Sequence, residues 1–226
     1  MSSKYERELR QVLAGLSKGV NSIIKSCNEI EKAKMKLIEK RPFLVVRAAG
    51  SGIEGSGDLL ALRGDICFPI EVKSSKEAKL YLSGRTVEQY NSLVYEGNRS
   101  CLMPLYAYRL KGVRGDSWRI FRVETATLHG QLRKLESSIP SLPLTRNGKP
   151  YLNWEAGLPL NEFIALVCSQ VGQTDTGMRN IQVRSNTASG YIVKETIDRN
   201  LEISPRPKRN IPVSYTHLTL PTTHCG

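Results

Sequence analysis

Apolar residues recur at helical spacing in five segments of the chain. Near its start, Tyr5, Leu9, Val12 and Leu16 share one side of a 3.6-residue period, which predicts a helix with one buried face. The second segment ends before Pro42, because proline lacks the amide hydrogen that a helix interior needs. The five predicted helices cover residues 3–16, 21–40, 85–98, 129–135 and 159–169.

Short apolar runs between these segments predict strands. Two of the runs flank Arg63-Gly64, which is a turn signal, and together they predict a β-hairpin. The pair Asn147-Gly148 predicts a second, smaller hairpin within residues 144–154. The predicted strands cover residues 43–47, 58–62, 66–73, 101–110 and 118–123.

Charged residues stand at one end of the first predicted hairpin. Asp58 opens its first strand, and Glu71 and Lys73 close the second with one residue between them. Because side chains alternate between the two faces of a strand, Glu71 and Lys73 are expected on the same side. If Asp58 lies opposite them, two carboxylates and one ammonium group converge at this end of the hairpin.

Such a group is the minimum needed for metal-assisted hydrolysis of a phosphodiester. Two carboxylates can hold Mg²⁺ while water and phosphate complete its octahedron, and a lysine can orient or help deprotonate the attacking water. An isolated Glu-x-Lys triplet is usually only a solvated strand end. Here, however, both strands are otherwise apolar, and a glycine- and serine-rich segment, residues 49–57, precedes Asp58. Glycine at that point would let a phosphate backbone approach closely.

The balance of charges is strongly basic. The chain has 33 Lys and Arg against 21 Asp and Glu, which gives a formal net charge of +12 and a pI of about 9.6. This balance favours a polyanionic partner, of which nucleic acid is the most common, although a basic surface can also serve solubility alone. The basic residues near the motifs are Lys73, Lys76, Lys79, Arg85, Arg109, Lys111, Arg114, Arg119 and Arg122.

The five cysteines form no C-x-x-C pair, and the three histidines form no ligand cluster. We therefore expect reduced thiols in an intracellular, cytoplasmic protein that has neither a zinc site nor a disulfide framework. Cys67 and Cys101 are expected inside apolar strands, as small hydrophobic residues. No apolar run approaches the length of a membrane span and no secretory signal opens the chain, so we expect no membrane partner and no small-molecule cofactor.

Four sequence blocks follow one another between residues 5 and 76. They are Tyr5-Glu-Arg-Glu-Leu-Arg10, Val45-Val-Arg-Ala-Ala-Gly-Ser51, Asp58 and Ile70-Glu-Val-Lys-Ser-Ser75. In combination they resemble the archaeal-type Holliday junction resolvases of the PD-(D/E)xK nuclease superfamily, and residues 105–110 and 118–123 fit the later strands of that family. The resemblance implies an α/β fold with a restriction-endonuclease-like core, in which helices flank a mixed central β-sheet. It also implies a homodimeric, Mg²⁺-dependent endonuclease, with Mn²⁺ as a substitute ion, that cuts four-way DNA junctions in recombination and repair.

The resemblance assigns roles to individual residues. Asp58 and Glu71 would be metal ligands, Lys73 the catalytic lysine, and Glu6 an additional acid at the metal site. Ser74 could bind phosphate or merely start the next loop. The residues expected to bind DNA, from the resemblance or from their position beside the motifs, are Arg7, Arg47, Ser51, Ser74, Lys76 and Arg85.

The chain departs from the simplest family pattern in two places. Extra sequence at about residues 18–40 separates Glu6 from the block at Val45, and Glu31 lies at a spacing nearer to that of compact family members. We prefer Glu6 as the helix acid because its neighbours match as well, and Glu31 is the alternative. Gly57 stands where the superfamily usually has proline before the first acid. Gln89 is interpreted as a surface residue, with contact to the site as the alternative.

The metal core alone leaves other functions open. A restriction-type or repair nuclease acting on duplex or flapped DNA would use the same core, because a shared site does not fix its substrate. A non-catalytic, basic DNA-binding module is the third candidate. The intact set of Asp58, Glu71 and Lys73 argues against such a module.

The chain is predicted to divide into three parts. Residues 1–170 form the nuclease domain, which includes the extra helical segment at about 18–40. Residues 171–212 are polar, lack sustained periodicity and are predicted to be a disordered tail. Residues 213–226 resemble the translation of a sequencing-adapter read-through, and they are excluded from the fold prediction.

Overall fold

Three helices precede the sheet in the computed structural model, which describes residues 3–48 and 57–170. They are α1 (Ser3–Leu13), α2 (Ser17–Ile24) and α3 (Glu29–Lys40). The single helix predicted over 21–40 is therefore wrong. The Asn28 side chain accepts a hydrogen bond from the Glu31 amide at 2.9 Å, and the Glu31 carboxylate accepts one from the Asn28 amide at 3.0 Å. This reciprocal capping box starts a new helix at Glu29.

Eight strands and three more helices complete the described chain. The strands are β1 (Leu44–Arg47), β2 (Leu59–Arg63), β3 (Ile66–Ser75), β4 (Lys79–Tyr81), β5 (Leu105–Leu110), β6 (Trp118–Arg122), β7 (Tyr151–Asn153) and β8 (Leu158–Pro159). The helices are α4 (Arg85–Ser100), α5 (Gly130–Glu136) and α6 (Leu160–Gln170), with a 3-10 turn at Trp154–Ala156. The short strands β4 and β8 were not predicted, because two or three residues carry no readable alternation.

The main sheet has six strands in the order β1-β2-β3-β5-β6-β8. All neighbours are antiparallel except β3 and β5, which run parallel and are joined by a crossover that contains α4. The sheet is thus mixed, as expected. A separate two-stranded sheet pairs β4 with β7.

The predicted hairpin is β2 and β3. Arg63 pairs with Ile66, so the turn residues are Gly64 and Asp65, one position later than the predicted turn. Gly64 has a φ of +57°, a left-handed conformation that glycine adopts without strain. The hairpin brings the end of β3 next to the start of β2, which is where the charged residues lie.

The hydrophobic core occupies both faces of the main sheet. On one face, residues of α1, α2, α3, α5 and α6 pack against residues such as Phe68 and Leu105. The predicted closing helix α6 covers this core through Phe163 and Ile164, which are almost fully buried. On the other face, Tyr106 and a residue set from α4 and the two-stranded sheet form a second cluster. The alternating residues of β3 and β5 therefore face two different environments.

Of two local predictions, the first needs correction and the second is confirmed. Cys101 is not in a strand: it ends α4 in a left-handed conformation with a φ of +54°, and β5 begins only at Leu105. The turn at Asn147-Gly148 is present, since the Thr145 amide donates to the Lys149 carbonyl at 2.8 Å. Leu144 forms an antiparallel bridge with Pro150 around this turn, so the small hairpin is present, and the strand that follows it, β7, also pairs with β4.

Some sequence predictions fall on residues outside the described ranges. These are Ser51 in the glycine- and serine-rich segment, the tail over 171–212 and the adapter-like residues 213–226. Within residues 3–48 and 57–170, no helix has the length and apolar character needed to cross a membrane.

Candidate active site

Glu71 and Lys73 lie on the same face of β3, as the strand alternation predicts. The Lys73 Nζ donates to Glu71 Oε1 at 2.7 Å. Glu71 is only 5 % exposed and Lys73 is half-buried. An ion pair shielded in this way keeps both side chains in a fixed relation, because water competes poorly for either partner.

Asp58 lies beside this pair. Its backbone amide donates to the Ile70 carbonyl at 2.8 Å, and its Oδ2 accepts from the Val72 amide at 2.8 Å. Burial, together with the negative charges of Glu71 and Glu6, raises the pKa of Asp58 to about 6, against the opposing effects of the Val72 amide and Lys73. The Asp58 carboxylate is therefore half-buried and within reach of two other negative charges.

Gly57 sets the path of the chain into Asp58. Its φ is +69°, and a Cβ at this position would meet the Ile70 carbonyl oxygen at 2.7 Å. Proline, whose φ is fixed near −65°, cannot adopt this conformation. Glycine at this position therefore permits the close approach of the chain to Ile70 just before Asp58.

Glu6 reaches the site from α1. It is 4 % exposed, and its Oε2 lies 3.4 Å from the Arg47 Nε on β1. No described residue gives this oxygen a hydrogen bond. Glu31, the alternative helix acid, caps α3 through Asn28 instead. The charge of Glu6 thus acts on Asp58, whereas Glu31 has a capping role in α3.

Gln89 is the residue that the sequence interpretation missed. Its Oε1 accepts a hydrogen bond from Lys73 Nζ at 2.8 Å, so the interpretation of Gln89 as a plain surface residue is wrong. The available signal was its spacing, since Gln89 precedes the buried Leu93 by one helical turn and shares its side of α4. Gln89 and Glu71 together hold the lysine ammonium between two acceptors.

Tyr106 brings a buried hydroxyl group to the same face. It pairs with Glu71 in the parallel register of β3 and β5 and is fully buried. Burial, together with the charges of Glu71, Tyr90 and Asp58, raises the pKa of its phenol far above the ordinary value. Its hydroxyl has no hydrogen-bond partner among the described residues. A buried hydroxyl without a hydrogen-bond partner costs about 1–3 kcal/mol of stability.

Basic residues surround a cleft next to Glu6. The cleft has a volume of about 140 Å³ and is lined by Glu6, Arg7, Arg10, Arg47 and Leu59. The three arginines are exposed at its rim. Guanidinium groups bind phosphate oxygens in a bidentate manner, so this cleft suits a nucleic-acid backbone beside the carboxylates.

Three other residues predicted to bind DNA do not line this cleft. Lys76 and Arg85 are exposed beyond the end of β3 and at the start of α4. Ser74 is half-buried and pairs with Arg109, so alternation puts it on the face opposite Glu71 and Lys73. The DNA-binding roles of these three residues stay predictions.

The donor set suits a hard cation that retains water. Among the described residues, no group of three or more His, Cys, Asp and Glu side chains is close enough to hold a metal by itself. Asp58 and Glu71 nevertheless fit Mg²⁺, which is typically bound by one or two carboxylates and completed by water and phosphate. The pKa of Asp58 is raised first by burial and then by the charge of Glu71, and a bound cation would offset both effects.

Comparisons with known proteins find a matching family model and a similar solved structure. A family model described as archaeal Holliday junction resolvase (Hjc) matches residues 23–144, a range that contains Asp58, Glu71 and Lys73 but not Glu6. Among solved structures, an Hjc Holliday junction resolvase from the hyperthermophilic archaeon Archaeoglobus fulgidus is similar, with 25 % sequence identity and a TM-score of 0.37. The similarity covers 60 % of this chain and 92 % of that one. The search of curated proteins gives no match.

Proposed function

Because the chain belongs to the archaeal Holliday junction resolvase family, we propose that it is a structure-selective endonuclease that resolves four-way DNA junctions by Mg²⁺-dependent hydrolysis. Its mixed sheet flanked by helices is the restriction-endonuclease-like core expected of that family. The observation that carries the proposal is the convergence of Asp58, Glu71 and Lys73 at one end of the hairpin. We assign the activity to residues 1–170.

The carboxylates of this site have the role of cation ligands. Asp58 is fixed by the Val72 amide and Glu71 by Lys73, so both carboxylates are oriented before any ligand arrives. Mg²⁺, when bound, would supply the Lewis acidity that activates water and stabilises the leaving oxygen. Glu6 is the additional acid, and its pairing with Arg47 links the metal site to the phosphate-binding cleft.

Lys73 has the role of orienting the attacking water. An ammonium group has three donors, so Lys73 can hold Glu71 and Gln89 and still donate to a water or to a phosphate oxygen. The two acceptors restrict the rotation of the long side chain, which leaves less freedom to lose when substrate binds. Arg7 and Arg47 would hold the phosphate beside it.

Selectivity for a branch requires more than one site. Phosphate contacts carry no sequence information, so we propose that two protomers, related by a two-fold axis, place two sites at the spacing of two junction strands. The net charge of +12 supports binding to DNA, and we expect strongly salt-dependent affinity. The activity would serve recombination and repair inside the cell, with Mn²⁺ able to replace Mg²⁺.

A cleavage assay tests the proposal directly. The purified chain is incubated with Mg²⁺ and either a synthetic four-way junction or a linear duplex of the same sequence, and the nicked strands are resolved on a denaturing gel. We expect paired nicks in the junction and little cutting of the duplex. Equal rates would favour the restriction-type alternative, and binding without cutting would favour the passive module. The mass of the protein in solution, from light scattering, tests the dimer.

A further inference from the structure

Tyr106 is placed at the candidate active site by the sheet itself. It pairs with Glu71 across the parallel strands β3 and β5, and paired residues project from the same face of the sheet. The side chain is 0 % exposed, so its hydroxyl is shut off from bulk water. The Tyr106 ring therefore lies next to the carboxylate that holds Lys73.

The hydroxyl of Tyr106 differs from that of the next tyrosine on the same face. Tyr108, two residues on, donates its hydroxyl to the Glu77 carbonyl. No such partner exists for the Tyr106 hydroxyl among the residues that the structure describes. Buried hydroxyl groups normally find a partner, so an unpartnered one beside two carboxylates needs an explanation.

We propose that Tyr106 is a positioning residue, whose hydroxyl donates a hydrogen bond to the Glu71 carboxylate when a divalent cation is bound. This inference rests on the proposed function of the site. Glu71 Oε1 already accepts from Lys73, and a carboxylate has further acceptor capacity for a second donor. The phenol is neutral and buried, so it fixes the carboxylate without bringing another charge into the site.

The Tyr106 hydroxyl would orient the metal ligand Glu71 and would not itself take part in the reaction. Groups that hydrogen-bond a metal-ligating carboxylate fix its orientation, and their removal typically weakens metal affinity roughly 10–100-fold. Tyr106 therefore acts on cation affinity more than on the maximal rate. A merely structural tyrosine would affect stability and leave the affinity unchanged.

The test compares Tyr106→Phe with Tyr108→Phe, since each variant loses one hydroxyl from the same face of β5. Binding of Mn²⁺ to the DNA-free protein is measured from the electron paramagnetic resonance signal of the free ion. We expect about a ten-fold weaker affinity for Tyr106→Phe and the parent affinity for Tyr108→Phe. In the cleavage assay, the half-saturating Mg²⁺ concentration should rise similarly for Tyr106→Phe, while the rate at saturating Mg²⁺ changes less than about three-fold.

The outcomes separate this inference from the proposed function. If the parent binds Mn²⁺, Asp58→Asn does not, and Tyr106→Phe matches the parent, the inference alone is overturned. If the parent itself does not bind Mn²⁺, both fail. Should Tyr106→Phe not fold, ¹⁹F NMR of the Tyr108→Phe protein labelled with 3-fluorotyrosine decides the matter. We expect one buried ring resonance to move on adding Mg²⁺, and no movement would overturn the inference.

Discussion

Two aspartates of this chain, the buried Asp116 and the half-buried Asp58, differ in what surrounds their carboxylates. Asp116 is 9 % exposed, and its oxygens accept from the Trp118 amide at 3.1 Å and from the amide and side-chain nitrogens of Asn161 at 2.8 Å each. Asp58 accepts one hydrogen bond, from Val72, and lies close enough to Glu71 for their charges to repel. The carboxylate of Asp116 is thus satisfied by hydrogen-bond donors, whereas that of Asp58 lies near other negatively charged groups.

The difference shows why burial alone does not identify a functional residue. Burial raises the pKa of both aspartates. At Asp116, the hydrogen bonds and the charge of Arg119 oppose that effect, and the carboxylate ties the start of β6 to the start of α6. At Asp58, the Val72 amide and Lys73 also oppose it, but the charges of Glu71 and Glu6 add to it. Neighbouring acids that add to the effect of burial are what mark Asp58 as a candidate cation ligand.

The largest expected effect is a loss of junction cleavage on substitution of Asp58 but not of Asp116. We expect Asp58→Asn to lower junction cleavage about a thousand-fold or more, equivalent to ~4 kcal/mol of transition-state stabilisation, because a cation ligand is lost. Glu71→Gln should act in the same way. Asp116→Asn should leave the cleavage rate of the folded protein within about three-fold of the parent. Single-turnover cleavage of a labelled four-way junction with Mg²⁺ measures all three.

Binding provides the control for this first prediction. Asp58→Asn should retain its affinity for the junction in an electrophoretic mobility assay, since the arginines that hold phosphate are unchanged. Cleavage by Asp58→Asn at the parent rate with Mg²⁺ present would rule out the metal assignment.

A second prediction makes the same kind of comparison between Glu6 in α1 and Glu31 in α3. Glu6→Gln should slow cleavage roughly 10–100-fold, because Glu6 is buried beside Arg47 and its charge acts on Asp58. Glu31→Gln should change the rate less than about two-fold, because glutamine also completes a capping box with Asn28. The same single-turnover assay measures both. A larger loss for Glu31→Gln than for Glu6→Gln would reverse the assignment.

The parts of the site that sequence reasoning could reach are those fixed by short-range geometry. The alternation of β3 is enough to put Glu71 and Lys73 on one face, and the hairpin turn is enough to bring Asp58 near them. Glu6 is 52 residues before Asp58, and only its resemblance to a known block pointed to it. The distance between these residues in the sequence says nothing about α1 packing beside β1.

The parts that sequence reasoning missed depend on long-range pairing. Gln89 and Tyr106 reach the site only because β5 adds in parallel to β3 and α4 crosses between them. No local pattern specifies that register. The break between α2 and α3 was different, because Asn28 and Glu31 form a recognisable cap signature that the apolar stripe over 21–40 obscured.

A third prediction concerns the second acceptor of Lys73. Gln89→Leu should reduce the cleavage rate about ten-fold, because Lys73 would keep only Glu71 as a partner and would sample other rotamers. Glu88→Gln, at the exposed neighbouring position, is the matched control and should cleave at the parent rate. The rate at saturating Mg²⁺ is the informative measurement. An unchanged rate for Gln89→Leu would mean that Glu71 alone positions the lysine.

The smallest expected effect is a change in the free energy of unfolding, which should rise for Asp58→Asn and fall for Asp116→Asn. Between the ordinary pKa of 3.8 and the folded value of about 6, folded Asp58 binds more protons than the unfolded chain. Stability therefore falls as pH rises through this window. Asp58→Asn should remove that penalty and, without divalent cations, raise the free energy of unfolding by about 1 kcal/mol at pH 7.5. The gain should vanish near pH 4.

Asp116→Asn should instead lower the free energy of unfolding at pH 7.5 by about 1–3 kcal/mol. An amide has one oxygen, so it cannot accept from Trp118 and from both nitrogens of Asn161 with the same geometry, and one buried donor loses its partner. Urea unfolding at pH 4 and pH 7.5 in the presence of a chelator measures both variants. Destabilisation by Asp58→Asn at pH 7.5 would show that the Asp58 carboxylate supports the fold as the Asp116 carboxylate does. The contrast between Asp116, whose carboxylate is satisfied by hydrogen-bond donors, and Asp58, whose carboxylate lies near other acids, would then fail.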